Sequence, residues 1–279
     1  MPRSILFSLP VHERPDIVEG QIVNIARHCP GAAVAIHVSP VFTGDIAAFK
    51  ALEKTPGVFV NPTRLPTALG KGLFHVHAVN FLHGMQCRPE TDTIAFISSN
   101  ELFVRGGLAD YMTPFQAGAQ IELFDPLTDW HLFHRGVERE PHVQALLAHL
   151  GLPAIFGGQA EGLFFPTVLF AEMVKLYLRF FGMDFSGFET EEILPQTMLA
   201  KFAGGLPVAP PFTLQNYCHR FEIDRTLIER VRAGRGFIFA QRNAGCLRSP
   251  HVGSNDLSSV FSVKRVPRED CELRRFILQ

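Results

Sequence analysis

Three carboxylates fall within four residues of the stretch FETEEILPQTMLAKF, Phe188 to Phe202: Glu189, Glu191 and Glu192. They precede an apolar run that predicts a helix, where acidic residues suit the positive end of the helix dipole. A carboxylate so placed can also serve as a general base that takes the proton of a substrate hydroxyl. Toward the other end of the chain stands a basic cluster: Arg242, Arg248, Lys264, Arg265 and Arg268. Taken alone it reads as a solvated strand edge. In a sharper reading, these cations supply the counter-charge for a departing diphosphate. His12 follows the apolar run SILFSLPV, where a strand would end. His75 and His77 lie two apart on a predicted helix, share no face, and read as core or surface residues.

Several common chemistries lack their motifs. The turns ALGKG and VRGG do not make G-x-G-x-x-G, and there is no G-x-x-x-x-G-K-[ST] phosphate loop. Neither H-E-x-x-H nor the G-x-S-x-G elbow of a serine hydrolase occurs. No D-x-D stands at a strand end. SSNE offers only Glu101 there, and one carboxylate is a poor site for a divalent ion carrying a diphosphate.

These residues must be held by a fold, and the pattern says which. The 279 residues are 47% hydrophobic and 19% charged, with formal net charge −1. That allows a sizeable core and leaves no electrostatic footprint for nucleic acid. There are 26 Phe against 3 Tyr and 1 Trp, which predicts a Phe-packed interior. Cys29, Cys87, Cys218, Cys246 and Cys271 are dispersed, as expected of reduced thiols in a cytosolic compartment. The opening apolar run is too short for a signal peptide, and no stretch approaches a membrane span.

Buried strands are predicted at SILFSLPV, AAVAIHVSP, GVFVNP and DTIAFISS, separated by helical patterns such as PDIVEGQIVNIARHC and GKGLFHVHAVNFLHGMQC. Such alternation predicts an α/β fold with a central, mostly parallel sheet flanked by helices. Ligands gather at the carboxyl edges of such strands, here PVHE, HVSP and SSNE. Beyond residue 115 the pattern loosens. The stretch VLFAEMVKLYLRFF predicts a helix apolar on both faces, and RGFIFAQRNAG and SSVFSVKRVPRED predict late strands. The chain is expected to form one domain, residues 1–115 binding nucleotide and 116–279 carrying acceptor and catalytic functions.

In order, these pieces resemble the core-2/I-branching β-N-acetylglucosaminyltransferases and the peptide O-xylosyltransferases. ILFSLPVHE and IHVSP are similar to that family's first strand with its His and to its "IHVD". DTIAFISSNELFVRGGLADYM is similar to its strand, "SG-x-D" loop and following helix. GGQAEGLFFP resembles its "GSQW" segment, TEEILPQTM its "PDE-x-x-x-x-T" and VFSVKRVP its "LFARKF". The resemblance implies a GT-A-like fold, a UDP-sugar donor, inversion at the anomeric carbon, and no metal or other cofactor. It implies that Glu192, five residues before Thr197, is the base, with Glu191 in place of the family's Asp. It places Val11, His12 and Ser39 in the nucleotide pocket and Arg242, Lys264 and Arg265 on the diphosphate, with Arg248 as a rival to Arg242. Ser39 replaces a family Asp, and the Trp expected after Gln159 is missing, which implies altered nucleotide and acceptor recognition.

The reading that follows is an inverting, metal-independent glycosyltransferase. It would use a nucleotide sugar and a glycan or lipid-linked glycan acceptor, and would bind no nucleic acid. A bacterial enzyme of surface polysaccharide synthesis is expected, in the cytoplasm or against the inner membrane face. The alternatives are a metal-dependent or retaining transferase using Glu101, a carbohydrate- or nucleotide-binding module without turnover, and a partner-binding scaffold.

Overall fold

The computed structural model describes residues 3–67, 72–123, 136–182, 185, 187–205, 207–215, 222–238 and 256–279. In chain order its strands are β1 (Ile5–Val11), β2 (Ala33–Val38), β3 (Val58–Val60), β4 (Thr93–Phe96), β5 (Glu101–Phe103) and β6 (Ala117–Gly118). Then come β7 (Glu122–Leu123), β8 (Phe156–Gly157), β9 (Phe164–Pro166), β10 (Val208–Ala209), β11 (Thr213–Leu214) and β12 (Ser262–Lys264). The helices used below are α1 (Pro15–His28), α2 (Ile46–Lys50), α3 (Leu73–Cys87), α4 (Leu108–Met112), α5 (Pro141–Leu150), α6 (Thr167–Phe181) and α7 (Leu194–Phe202).

Seven strands form the main sheet in the order β10-β6-β9-β4-β1-β2-β3. The β3-β2-β1-β4 half is parallel, whereas β9 runs antiparallel to both β4 and β6. Thus the α/β fold with a central, mostly parallel sheet is observed, with α3 packed against its β1 and β2 and α1 against β5, which belongs to a separate three-stranded sheet in the order β11-β12-β5. The alternation of β1 accounts for both layers. Phe7 and Leu9 join the cluster holding Val18, Ile22 and Ile25 of α1, while the next residues over, Leu6 and Ser8, face α3. There Leu6 needs Gly84, whose added Cβ would lie 2.4 Å from Leu6 Cδ2, and Ser8 meets His77.

A proline in the central strand β1 needs a reason, since Pro donates nothing to a ladder. Ser8 C=O accepts from Ile97 and Val11 C=O from Ser39, so residue 10 points its nitrogen toward β4. The β1–β4 ladder has already ended at Ser8 and Phe96, while β1 and β2 pair on to Val11 and Val38. Pro10 therefore loses no bond, and the parting of β4 from β1 opens a cleft.

Two expectations change. Helix α6 buries Phe170, Met173, Val174, Tyr177 and Phe181 on one face, and Val168 is 77% exposed on the other, so the helix is amphipathic. The carboxylates of the 188–202 stretch do not open an α-helix. Thr190–Glu192 form a separate 3-10 turn, and α7 begins at Leu194 with Pro195 in its first turn. The late strand at SSVFSVKRVPRED is present as β12. Of RGFIFAQRNAG only an isolated bridge, Phe237 to Asp256, falls among the described residues. Among those residues, no helix is long and apolar enough to cross a membrane.

Candidate active site

A cleft of about 1070 Å³ lies where β1, β2 and β4 end. Pro10 comes from β1, His12 directly follows it, Ser39 directly follows β2, and Ile97 to Asn100 follow β4. The parallel half changes direction at this point, since β2 leaves to one side of β1 and β4 to the other. Ala160, Glu161 and Glu191 line the cleft from one side, and Lys264 to Glu269 from another.

The segment bearing the cations is fixed by a buried carboxylate. Glu101 opens β5 and pairs across the antiparallel ladder with Lys264. Its side chain, 1% exposed, accepts from Thr213 Oγ1 at 2.7 Å, Ser262 Oγ at 2.6 Å and the Ser98 amide at 3.2 Å. Burial pushes the Glu101 carboxyl up to about 7, against the pull of those donors. Glu101 does not line the cleft; it ties β5, β11 and β12 together. From α1, Gln21 holds the Ser98 carbonyl, and Asn24 bonds both backbone groups of Phe103. At the end of β12, Arg265 takes φ 69°, a left-handed conformation rare for a side chain with Cβ, while its amide bonds Asn100 C=O at 3.0 Å. Strain of this kind is tolerated where surrounding contacts enforce it, and it concentrates at functional sites.

Two acidic residues organise the cations. Glu13, 8% exposed, meets Arg268 at 2.5 Å, His12 Nε2 at 3.2 Å and Ser99 Oγ at 3.3 Å, all through Oε1. It thereby holds the C-terminal segment against the mouth of β1. Lys264 pairs with Glu161, and both side chains are 17% exposed. That pair occupies the Lys264 ammonium.

The opposite wall is sewn from two loops. Thr197 Oγ1 bonds both the amide and the carbonyl of Phe156, at 2.9 and 2.8 Å. Gly158 N–H donates to Glu192 C=O at 2.9 Å, and the Gln196 amide reaches Gly158 C=O and Gln159 C=O. These ties bring Glu161 and Glu191 to one surface. Glu191 is 4% exposed, and its Oε2 has no hydrogen-bond partner among the described residues. Burial first, then the charges of Glu192, Glu161 and Glu189, hold the Glu191 carboxyl well above the usual range. Its proton is correspondingly hard to remove.

Of the residues singled out by sequence, His12, Ser39, Lys264 and Arg265 line this cleft together. Ser39 is further bonded to Thr67 Oγ1 at 3.0 Å. Val11 is buried in the core beneath it, 1% exposed. Glu192 is half-buried and not among the lining residues; its neighbour Glu191 is. Gln159 turns inward, its Nε2 donating to the carbonyls of Glu161 and Thr213, both at 2.7 Å. Arg242 and Arg248 lie outside the described residues. Arg268, named in the basic cluster, lines the cleft as well. The sequence reading missed Glu161 as a lining residue and Glu13 as the partner of Arg268, and it assigned His77 no role; His77 lines the cleft beside Phe96. Among the described residues, no group of three or more His, Cys, Asp or Glu stands together as a metal site.

No family model matches the chain, and no curated protein matches it. Among solved structures, it aligns with the galactosyltransferase LgtC in complex with donor and acceptor sugar analogs, at 12% identity and TM-score 0.44. That alignment covers 98% of this chain and 93% of the other. An active-site mutant of LgtC aligns over the same shares at 10% identity and the same TM-score. Likeness at this level settles no point of chemistry.

Proposed function

We propose that the chain is an inverting glycosyltransferase of GT-A type that moves a sugar from a UDP-sugar to a glycan hydroxyl without a metal ion. The observation that supports this best is the meeting, in one cleft at the β1, β2 and β4 edges, of a cation group and a buried carboxylate with one oxygen that has no hydrogen-bond partner among the described residues. Lys264, Arg265 and Arg268 would face the diphosphate, and Glu191 the reacting hydroxyl. In the step, Glu191 takes the acceptor proton as the acceptor oxygen bonds the anomeric carbon. The bond from that carbon to the diphosphate oxygen breaks, and its electron pair leaves with UDP. Cations fixed in place before the reaction stabilise the charge that develops there. Raised affinity for a proton makes Glu191 a stronger base than an ordinary carboxylate once ionised.

This reading takes Glu191 rather than Glu192 as the base, because Glu191 is the carboxylate on the cleft wall. Glu101 serves the fold here and not a metal, since its oxygens are engaged by three protein donors. The resemblance in the sequence further suggests a lipid-linked or surface-polysaccharide acceptor, met on the cytoplasmic side of a bacterial membrane.

Transfer by Glu191→Gln and Glu192→Gln, measured alongside UDP affinity, tests the assignment. Glu191→Gln is expected to lose about 10²–10⁴-fold in turnover with UDP binding kept. Glu192→Gln should stay active, with the acid limb of its pH profile moved to lower pH because a charge that raises Glu191 is gone. The reverse pattern would return the role to Glu192. Loss of neither would remove the base from this wall altogether.

A further inference from the structure

His77 is buried at 4% exposure, yet it lines the cleft beside Leu73 and Phe96. Its ring lies flat on Phe96, centroids 3.7 Å apart and planes 3° from parallel. Behind it runs a polar chain through the core. Asn61 Nδ2 donates to Asn80 Oδ1 at 3.2 Å, and Asn80 Nδ2 donates both to Ala35 C=O at 3.0 Å and to Ser8 Oγ at 3.1 Å. Ser8 Oγ lies 2.7 Å from His77 Nδ1.

The direction of the protons follows from the Ala35 carbonyl and from the burial of Ser8. The Ala35 carbonyl can only accept, so the Asn80 atom bonded to it is the amide nitrogen, and Ser8 Oγ receives a hydrogen from Asn80. Ser8 is fully buried, and His77 Nδ1 is the acceptor that the described residues offer for the Ser8 hydroxyl hydrogen, so Ser8 donates there. Nδ1 is therefore the acceptor nitrogen, and the proton of a neutral ring sits on Nε2. Burial pushes His77 down to about 3, so the ring stays neutral throughout the working range. No acceptor for Nε2–H stands among the described residues, and with Nδ1 tied to β1, the Nε2 edge of the ring is left to the cleft.

We propose that His77 is a specificity-determining contact: its Nε2–H, set by the Asn61–Asn80–Ser8 chain, donates to an uncharged oxygen on the glycosyl group of the donor. This deepens the proposed function and rests on it. The basic segment at residues 264–268 already provides for the diphosphate, whereas Leu73, His77 and Phe96 offer an apolar wall with one neutral donor. Such a wall suits a ring hydroxyl, and it disfavours an ammonium group, which has no lone pair to offer. A buried donor left without its acceptor carries a penalty, so the site distinguishes a sugar from its deoxy analogue more sharply than an exposed contact would.

The test is calorimetric titration of UDP, a panel of UDP-hexoses and their monodeoxy analogues against the parent protein, His77→Gln and His77→Phe, with thermal midpoints as a check on folding. In the parent, one monodeoxy analogue is expected to bind about tenfold more weakly than its complete sugar. His77→Phe should bind the two alike while holding UDP as the parent does, and His77→Gln, which restores an N–H, should recover most of the discrimination. The parent arm does not depend on any variant folding. If the parent distinguishes no deoxy position, or if His77→Phe weakens UDP and UDP-hexose equally, the contact is refuted while the transferase reading stands. Absence of any UDP or UDP-hexose binding by the parent would overturn both.

Discussion

Replacing Glu101 by Gln should make the protein more stable at pH 8 than the parent, although Glu101 accepts hydrogen bonds from Ser98, Thr213 and Ser262. The carboxyl is raised from 4.5 to about 7 by burial. At roughly 1.4 kcal/mol per pH unit, that rise corresponds to about 3 kcal/mol of folding free energy. The sign follows from proton counts. Below pH 4.5 the folded and unfolded chains are both protonated at this group, and it costs nothing. Between 4.5 and about 7 the unfolded chain has released the proton and the folded chain keeps it, so stability falls as pH rises. Above about 7 the full cost is present. Gln can hold the same knot: its oxygen accepts from the Ser98 amide, and its amino group donates to the two hydroxyls, which rotate to receive it. Urea unfolding of both proteins from pH 4.5 to 8 measures the difference. The advantage of the variant should grow by about 2–3 kcal/mol across that range. A difference that stays flat with pH would show that Glu101 is ionised in the fold already and that burial does not govern it.

Two further outcomes follow from the same geometry. Gly162 takes φ +79°, and an added Cβ would fall 2.5 Å from the Thr213 amide nitrogen and 2.8 Å from that of Phe212. Gly162→Ala should therefore cost about 2–4 kcal/mol and lower the thermal midpoint by roughly 5–10 °C; an unchanged midpoint would contradict the close approach of β11. On the proposed mechanism, transfer by the parent protein should rise with pH along an acid limb set above the ordinary carboxylate value, since as the proposed base Glu191 would have to ionise. A profile level down to pH 4.5 would place the base elsewhere.

The cleft was legible in the sequence where burial and punctuation agreed. SILFSLPV, AAVAIHVSP and DTIAFISS each end an apolar run at a proline, charge or serine pair, and their ends now line one cavity. Lys264 and Arg265 were legible as cations closing a strand. The choice between Glu191 and Glu192 was not legible. In a 3-10 turn, adjacent residues point about 120° apart, so counting from Thr197 cannot show which carboxylate faces the cleft. Nor could spacing show that Gln159 turns into the wall to bond two carbonyls. The Glu13 and His77 arrangements join residues far apart in the chain: Arg268 with Glu13, and Ser8 with His77 and Asn80. A helix such as α3, apolar around most of its surface, gave no sign that one of its histidines borders the cleft. For α6, the abundance of Leu, Phe and Val concealed the exposed side that carries Val168.

The central claim is that side chains of the 264–268 segment carry the diphosphate charge that a bound ion carries in other enzymes of this chemistry. Calorimetric titration of UDP into the parent, Lys264→Ala and Arg265→Ala, all in excess EDTA, addresses it most directly. The parent should bind without any divalent ion, and each truncation should weaken binding by about 1–3 kcal/mol, as befits a charge-assisted contact. Binding that appears only when Mg²⁺ or Mn²⁺ is restored, or an affinity indifferent to both truncations, would contradict it.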